Sequence, residues 1–157
     1  DNQANAVNDV TEAAAGWYWQ FNRQQGYKHD GVFRTPNTTW ITSISENSDW
    51  LTVNDPCALL LGTGWRLPTS TEWSNVDASG GWNNMFSAYA SALKLHSAGY
   101  IGSDAGNLGS RGTYGYYWCS SQDSESNAWN LTLGPGESYM SGDYKGYGFS
   151  VRCLRDY

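Results

Sequence analysis

The sequence predicts one domain in which short helices are combined with small antiparallel sheets. A helix signal lies in TSTEW at 69–73, where Thr69 and Glu72 have the spacing of a capping box. After Ala98 the chain is rich in Gly, Ser, Tyr and Asn, and apolar residues recur two positions apart, as in short strands joined by turns. No internal repeat and no linker interrupts the 157 residues, so we expect a single domain.

The amino-terminal segments carry weak signals. Residues 1–15 are small and polar with an alanine run, which predicts a short helix or a frayed lead-in that ends at Gly16. Rings alternate with polar groups at 17–21, which predicts a half-buried strand. A turn should follow near Gly26 or Gly31.

The middle of the chain predicts irregular loop followed by two helices. Residues 35–56 have the composition of a loop with a short apolar patch at 40–44. The first helix should begin at about Ser70, after the capping box, and end at the glycines 80–81. The second should run over 82–95, where apolar residues recur on one face.

The carboxyl-terminal part predicts strands with one inward face. Alternating parity assigns three side chains to a core, namely Trp118, Phe149 and Val151. Trp129 shares the parity of Leu131 and Leu133, yet a tryptophan at a rim also makes a good binding anchor, so both roles stay open. Residues 134–148 are rich in glycine without a continuous apolar face, which predicts a loop or an irregular hairpin.

Charge and composition exclude several function classes. The formal net charge is -6, and the nine Lys and Arg residues form no basic cluster, so nucleic acid is not an expected partner. No apolar run approaches the roughly 20 residues of a membrane helix, so no membrane insertion is expected. The nine Trp and eleven Tyr residues place much of the apolar surface in flat rings, which serve cores and recognition surfaces alike.

Three cysteines give no metal motif. Cys57, Cys119 and Cys153 are scattered and form no CxxC pair, so a zinc site is not predicted. One disulfide with one thiol left over and three reduced thiols are both compatible with this count.

Four segments together resemble a bacterial family of C-type-lectin-like domains, the Fibrobacter succinogenes major paralogous domains. The relatives of this family include the variable proteins of diversity-generating retroelements and, more distantly, formylglycine-generating enzymes. The resemblance covers about residues 16–157. It is carried by NDPCALLLGTGWRLPTSTEW (54–73), ALKLHSAGYIG (92–102), GYYWCSS (115–121) and GYGFSVRCLRDY (146–157).

The resemblance implies an α+β, C-type-lectin-like fold with two helices, small twisted antiparallel sheets and long irregular loops. It implies one such domain at 16–157 after the lead-in at 1–15. It also implies a disulfide between Cys57 and Cys153, which would leave Cys119 free. An extracellular, cell-surface or virion location would follow.

The resemblance further implies a variable, ligand-binding region at 114–152. In the retroelement variable proteins, exposed positions on the carboxyl-terminal part of the fold are diversified, and Tyr, Ser, Asp, Gly and Asn are frequent there. Tyr supplies stiff amphipathic contacts, whereas Ser and Gly adapt their hydrogen bonds. Ordinary loop packing of Tyr139, Tyr144 and Tyr147 is the alternative. The expected ligand-binding residues are Tyr114, Tyr116, Gln122, Asp123, Glu125, Asn127, Trp129, Asn130, Tyr139, Asp143, Tyr144 and Tyr147.

Calcium-dependent sugar binding is disfavoured by missing motifs. Oxygen ligands could gather on the loop at 123–130, but the EPN or QPD and WND tripeptides of sugar-binding C-type lectins are absent. The expected assignment is therefore no metal, no cofactor and no catalytic residue.

Three functions are compatible with the resemblance. The first is a non-enzymatic receptor or adhesin-type module, a retroelement variable protein whose ligand is a protein or a surface polymer. The second is a surface or adhesive paralogous domain without diversification. The third is a relative of the formylglycine-generating oxygenases, for which Cys119 and Cys153 would be the redox pair, although no NVWEW-like segment is present.

Overall fold

The computed structural model describes residues 4–157, in which short helices are combined with four small antiparallel sheets. The four α-helices are α1 (Glu12–Ala15), α2 (Pro56–Leu61), α3 (Ser70–Ser79) and α4 (Met85–Ala90). The ten strands are β1 (Tyr18–Trp19), β2 (Gly26–His29), β3 (Arg34–Thr35), β4 (Trp65–Arg66), β5 (Tyr100–Ile101), β6 (Leu108–Gly109), β7 (Gly115–Gln122), β8 (Asn127–Leu133), β9 (Ser138–Tyr144) and β10 (Leu154–Arg155). The α+β class is confirmed at this level, whereas the expectation of two helices is wrong.

The two predicted helices differ in how well the sequence locates them. α3 begins at Ser70 as predicted, because the Thr69 hydroxyl accepts from the Glu72 N–H and the Glu72 carboxylate accepts from the Thr69 N–H. The second predicted helix, at 82–95, is much shorter in the structure. A second capping box at Asn84 delays the start of α4 to Met85, and the helix ends at Ala90.

The lead-in packs onto the domain. Within 4–15, α1 is short and ends at Gly16, whose φ of 71° is in the left-handed region; residues 1–3 lie outside the described residues. Val7 is buried, and its carbonyl accepts from the Ser97 N–H. The half-buried strand expected at 17–21 is present only as the two-residue β1, which pairs with β2, and residues 18–21 are buried rather than half-buried.

The largest sheet has the order β7-β8-β9, with both pairs antiparallel. β9 pairs with β8 along all seven of its residues. The loop or irregular hairpin predicted at 134–148 is therefore one arm of the β8-β9 hairpin, with a regular strand over 138–144. β9 is an edge strand, and its ladder hydrogen bonds are made with β8. It therefore forms without the alternating apolar pattern on which the prediction relied.

The two faces of this sheet enter different cores, because successive side chains of a strand point to opposite faces. On one face, Tyr117 and Leu131 pack with Trp73 of α3 and Met85 of α4. On the other face, the fully buried Trp118 packs against the surrounding chain. The predicted burial of Trp118 and Phe149 is confirmed, and Val151 is partly buried.

The segment 148–150 joins the sheets. The Phe149 N–H and carbonyl exchange hydrogen bonds with Trp19 of β1. Gly148 exchanges the same pair of bonds with Ile101 of β5, and the Ser150 carbonyl accepts from the Trp118 N–H of β7. Three sheets therefore meet along three residues of backbone.

A disulfide joins Cys57 at the start of α2 to Cys153 near the carboxyl terminus, so the pairing implied by the resemblance is present. The two residues are 96 positions apart in sequence. Cys119 is a free thiol buried in the core. Over residues 4–157, no helix is long and apolar enough to span a membrane.

Removing the disulfide should destabilise the fold strongly. A loop of this length predicts that the Cys57→Ala, Cys153→Ala double variant loses about 2 to 5 kcal/mol in free energy of unfolding, because the unfolded chain regains the closed-loop entropy. The melting temperature should fall by about 5 to 15 °C in a calorimetric scan. The control is the Cys119→Ala variant, which keeps the disulfide. Its stability should therefore still fall when the bond is reduced. Equal stability of the double variant and the parent would refute a structural role for the bond.

Candidate ligand-binding face

A row of stacked aromatic rings lies beside the β7-β8-β9 sheet. Tyr114, Tyr116, Phe149, Tyr147 and Tyr144 follow one another with centroid separations of 6.1, 4.8, 5.5 and 6.4 Å. Neighbouring rings are inclined by only 14° to 24°. Such offset stacks hold each ring in place at little conformational cost.

Tyr100 of β5 packs edge-on against the side of the row. Its ring is perpendicular to Tyr116 and to Tyr147, with centroid separations of 5.6 and 5.4 Å. A Cβ at Gly109, opposite Tyr100 in β6, would approach the Tyr100 ring to 2.5 Å, so a larger residue here would displace that ring. The same argument applies to Gly134, where a Cβ would lie 2.6 Å from the Tyr114 ring.

Six of the predicted ligand-binding residues lie together on this side of the molecule, and we call them the tyrosine face. Tyr139 and Tyr144 are its most exposed rings, at 42% and 60% of their surface. The other members are partly buried. The tyrosine face consists of Tyr114, Tyr116, Tyr139, Asp143, Tyr144 and Tyr147.

Strand register explains part of this grouping. Tyr116 of β7, Thr132 of β8 and Tyr139 of β9 lie side by side across the sheet. Four residues further along β9, Asp143 has the same parity as Tyr139 and points to the same face. The predicted recognition surface therefore has a continuous base in the sheet.

Asn130 is a correction to the prediction, because its side chain is fully buried. It belongs to the central strand β8, which is covered by β7 and β9 on either side. Its amide donates to the Asp143 carboxylate at 2.8 Å, and its amide oxygen accepts from the Thr132 hydroxyl at 2.8 Å. Asn130 therefore lies beneath the face and orients Asp143.

Trp129 and Gln122 lie outside the ring row, and both are partly buried. Trp129 packs against the core on the α3 and α4 side, on the sheet face opposite to Tyr139. The Gln122 side-chain oxygen accepts from the ammonium group of Lys145, which is fully buried, and its amide donates to Asn47 at the surface. Neither residue belongs to the tyrosine face.

The remaining predicted residues surround the turn between β7 and β8. Asp123 and Glu125 are exposed there, and Asn127 is partly buried. The Asp123 carboxylate lies against Gly142, which faces the same side of the sheet as Trp129. Asn127 is the register partner of Tyr144, so this turn borders the Tyr144 end of the tyrosine face without contributing to the ring row. Over residues 4–157, no group of three or more Asp, Glu, His or Cys side chains is placed to hold a metal ion.

Three phenols of the face, those of Tyr116, Tyr139 and Tyr147, have a raised pKa. Burial raises the pKa of Tyr116, and the neighbouring Tyr100, Tyr139 and Asp143 raise it further. Burial also raises the pKa of Tyr139 and of Tyr147, with further increases from nearby groups that include Asp143. At neutral pH these hydroxyls are therefore available as hydrogen-bond donors.

Sequence reasoning missed three residues that complete the face. Tyr100 comes from a distant part of the chain, although its position beside the apolar Ile101 in a glycine-flanked segment was a possible signal. Glu137 accepts a hydrogen bond from the Tyr114 hydroxyl at 3.3 Å. The charge of Asp104 contributes to the raised pKa of Tyr147, which places this carboxylate near the ring.

Away from the tyrosine face, a concavity of about 530 Å³ lies between α3 and the carboxyl-terminal segment. Its charged groups are already engaged. Glu72 pairs with Arg66, which lowers the pKa of Glu72 to about 2, and also caps α3. Arg152 donates to the Lys94 carbonyl at 2.8 Å. This concavity offers fewer free polar groups than the tyrosine face.

Comparison with family models, curated proteins and solved structures gives no match for this chain.

Asn130 provides a test of how the face is held. The Asn130→Ala variant leaves the Thr132 hydroxyl without its acceptor and the Asp143 carboxylate without its donor, which should cost about 1 to 3 kcal/mol in free energy of unfolding. Urea denaturation measures this loss. The matched Asn107→Ala variant, on an exposed loop, should change stability by less than about 0.5 kcal/mol. Similar small effects in both variants would show that the buried amide does not support the face.

Proposed function

We propose that the chain is a non-enzymatic ligand-binding module whose ligand contacts the tyrosine face. The observation that carries this proposal is the stacked row of rings, which ends in the exposed Tyr144 and borders Tyr139 and Asp143. Large rings at an interface supply much contact area and lose little side-chain entropy. Surfaces of this composition are typical of protein recognition.

Pre-organisation supports the same proposal. Tyr116 and Tyr147 are stacked on the buried Phe149, whose backbone is bonded to β1. Asp143 is oriented by Asn130. A ligand would meet side chains that are already ordered, so little binding energy would be lost in ordering them.

The resemblance to retroelement variable proteins extends the proposal to a C-type-lectin-like scaffold with a diversified face. The residue types on the face, mainly Tyr and Asp with Ser nearby, agree with that interpretation. A reverse-transcriptase gene beside this gene, with a near-duplicate template that differs only opposite adenines, would support diversification. Their absence would favour a surface or adhesive paralogous domain with a fixed face.

The oxygenase alternative receives no support from the cysteines. Cys153 is bonded to Cys57, so it does not form a redox pair with Cys119. Burial raises the pKa of the Cys119 thiol, which disfavours the reactive thiolate. The disulfide also supports the proposed location in an oxidising environment, at the cell exterior or on a virion.

Variants of the two exposed rings test the proposal. The domain is screened against arrays of surface proteins and of surface polysaccharides, and the affinity for each retained ligand is measured. Combining Tyr139→Ser with Tyr144→Ser should weaken binding at least about tenfold, because exposed anchor rings are lost. The melting temperature should stay within about 4 °C, since exposed side chains contribute little to stability.

Exposed rings elsewhere provide the matched control. Phe33 and Phe86 are exposed at 70% and 53% of their surface and do not belong to the tyrosine face. The Phe33→Ser, Phe86→Ser variant should bind as tightly as the parent. Retained binding in the tyrosine variant together with lost binding in the phenylalanine variant would place the ligand elsewhere and refute the proposal.

A further inference from the structure

The carboxylates at the tyrosine face lack counter-ions. Over residues 4–157, ion pairs within 4.0 Å join Arg23 to Glu46 and Arg66 to Glu72 and Asp156. None of these pairs includes Asp104, Glu137 or Asp143. The face therefore presents negative charge that the chain itself does not neutralise.

The cationic side chains of the chain are engaged elsewhere. Arg23 and Arg66 form ion pairs, and Arg155 lies on β10. Each of the other Lys and Arg side chains lies over an aromatic ring, at 4.7 to 6.0 Å from the ring centroid. Those six side chains are Lys28, Arg34, Lys94, Arg111, Lys145 and Arg152. None of the Lys and Arg side chains over residues 4–157 forms an ion pair with a carboxylate of the face.

A pocket of about 330 Å³ adjoins the exposed end of the ring row. Tyr144 and Ile44 supply apolar wall, and hydroxyl groups such as that of Ser103 supply hydrogen-bonding partners. Asp104 is the single charged residue that lines it. The pocket thus combines a flat ring, a carboxylate and hydroxyl oxygens within one concavity.

Two carboxylates act on the neighbouring Tyr147. After burial and the adjacent Tyr100, the charges of Asp143 and Asp104 both contribute to the raised pKa of Tyr147. One Asp143 oxygen accepts from Asn130, while the Asp104 Oδ1 accepts from the Ala105 N–H. Each carboxylate keeps a second oxygen for a further donor.

We propose that this pocket, with the exposed ring of Tyr144 and the carboxylate of Asp104, binds an arginine side chain of a protein partner. This inference rests on the proposed function and specifies the chemistry of the ligand. A guanidinium group is planar, stacks on aromatic rings and carries five N–H donors, which suits an exposed ring beside a carboxylate. Arginine is also frequent among the residues that dominate binding energy at protein interfaces.

Other ligand classes fit these groups less well. Nucleic acid phosphates would be repelled by the unpaired carboxylates. A neutral saccharide could use the exposed ring of Tyr144 but would gain nothing from the charge of Asp104, whereas a guanidinium uses both. The saccharide is therefore an alternative outcome of the test.

A matched pair of peptides tests the inference on the intact chain. The peptide acetyl-Ala-Arg-Arg-Ala-amide is compared with the same peptide carrying citrulline, which has the shape of arginine without its charge. Each is titrated into 15N-labelled protein up to about 20 mM, a range that detects weak binding by amide shifts. The arginine peptide should shift the amides of Ser103, Tyr144 and Tyr147, and the citrulline peptide should bind at least about tenfold more weakly.

Charge-neutralising variants locate the effect. Combining Asp104→Asn with Asp143→Asn should weaken binding of the arginine peptide at least about tenfold, because two charge-assisted contacts are lost. Glu12→Gln, on α1, removes one charge elsewhere and should change affinity by less than about twofold. Raising the salt from about 50 mM to about 500 mM should weaken binding as the charges are screened.

The outcomes separate this inference from the proposed function. Equal binding of the two peptides, no shifts at the face with the arginine peptide, or unchanged binding in the double variant would overturn the arginine site. Shifts at the same amides with maltohexaose, without any for the arginine peptide, would overturn it and leave the tyrosine face as a ligand-binding surface. Whether the tyrosine face binds a ligand at all is decided separately by the combined Tyr139→Ser, Tyr144→Ser variant.

Discussion

The structure depends on the burial of Trp118 between the two cores. Its indole N–H donates to the Trp19 carbonyl at 2.8 Å, and its own carbonyl accepts from the Trp73 indole at 3.3 Å. Its ring lies 4.3 Å from Phe149 and 5.7 Å from Phe21. Trp118 thus connects the middle of β7 to β1 and the carboxyl-terminal segment through its side chain, and to α3 through its backbone carbonyl. Phe149 in turn supports the stacked tyrosines, so the order of the face depends on this contact.

The sequence located those features whose causes are local. The start of α3 follows from Thr69 and Glu72, three residues apart, and the burial of Trp118 follows from strand parity. The sequence did not predict β9 as a regular strand, because β9 is stabilised by pairing with β8 and has no alternating apolar pattern of its own. Asn130 was misplaced for a related reason. A polar side chain is buried where partners satisfy it, and its partner Asp143 is 13 positions away.

The candidate site shows the same division between local pattern and tertiary contact. Tyrosine enrichment marked several residues that lie together beside the sheet, and it could not show that Trp129 points away from Tyr139 or that Tyr100 packs against the row. Those facts follow from register and from contacts between distant segments. The unpaired charge of Asp104 and Asp143 is likewise visible only once every cation has been placed. Recognition chemistry here is a property of the packed chain rather than of one segment.

The solvent exposure of individual tyrosines tests the central claim most directly. In photochemically induced nuclear polarisation with a flavin dye, only phenols that the dye can reach give enhanced signals. A rigid outward face predicts enhanced signals from the exposed Tyr139 and Tyr144. The buried Tyr18 and Tyr117 should give no enhanced signal. Enhanced Tyr18 or Tyr117 with silent Tyr139 and Tyr144 would contradict the account, because the rings assigned to recognition would then belong to the core.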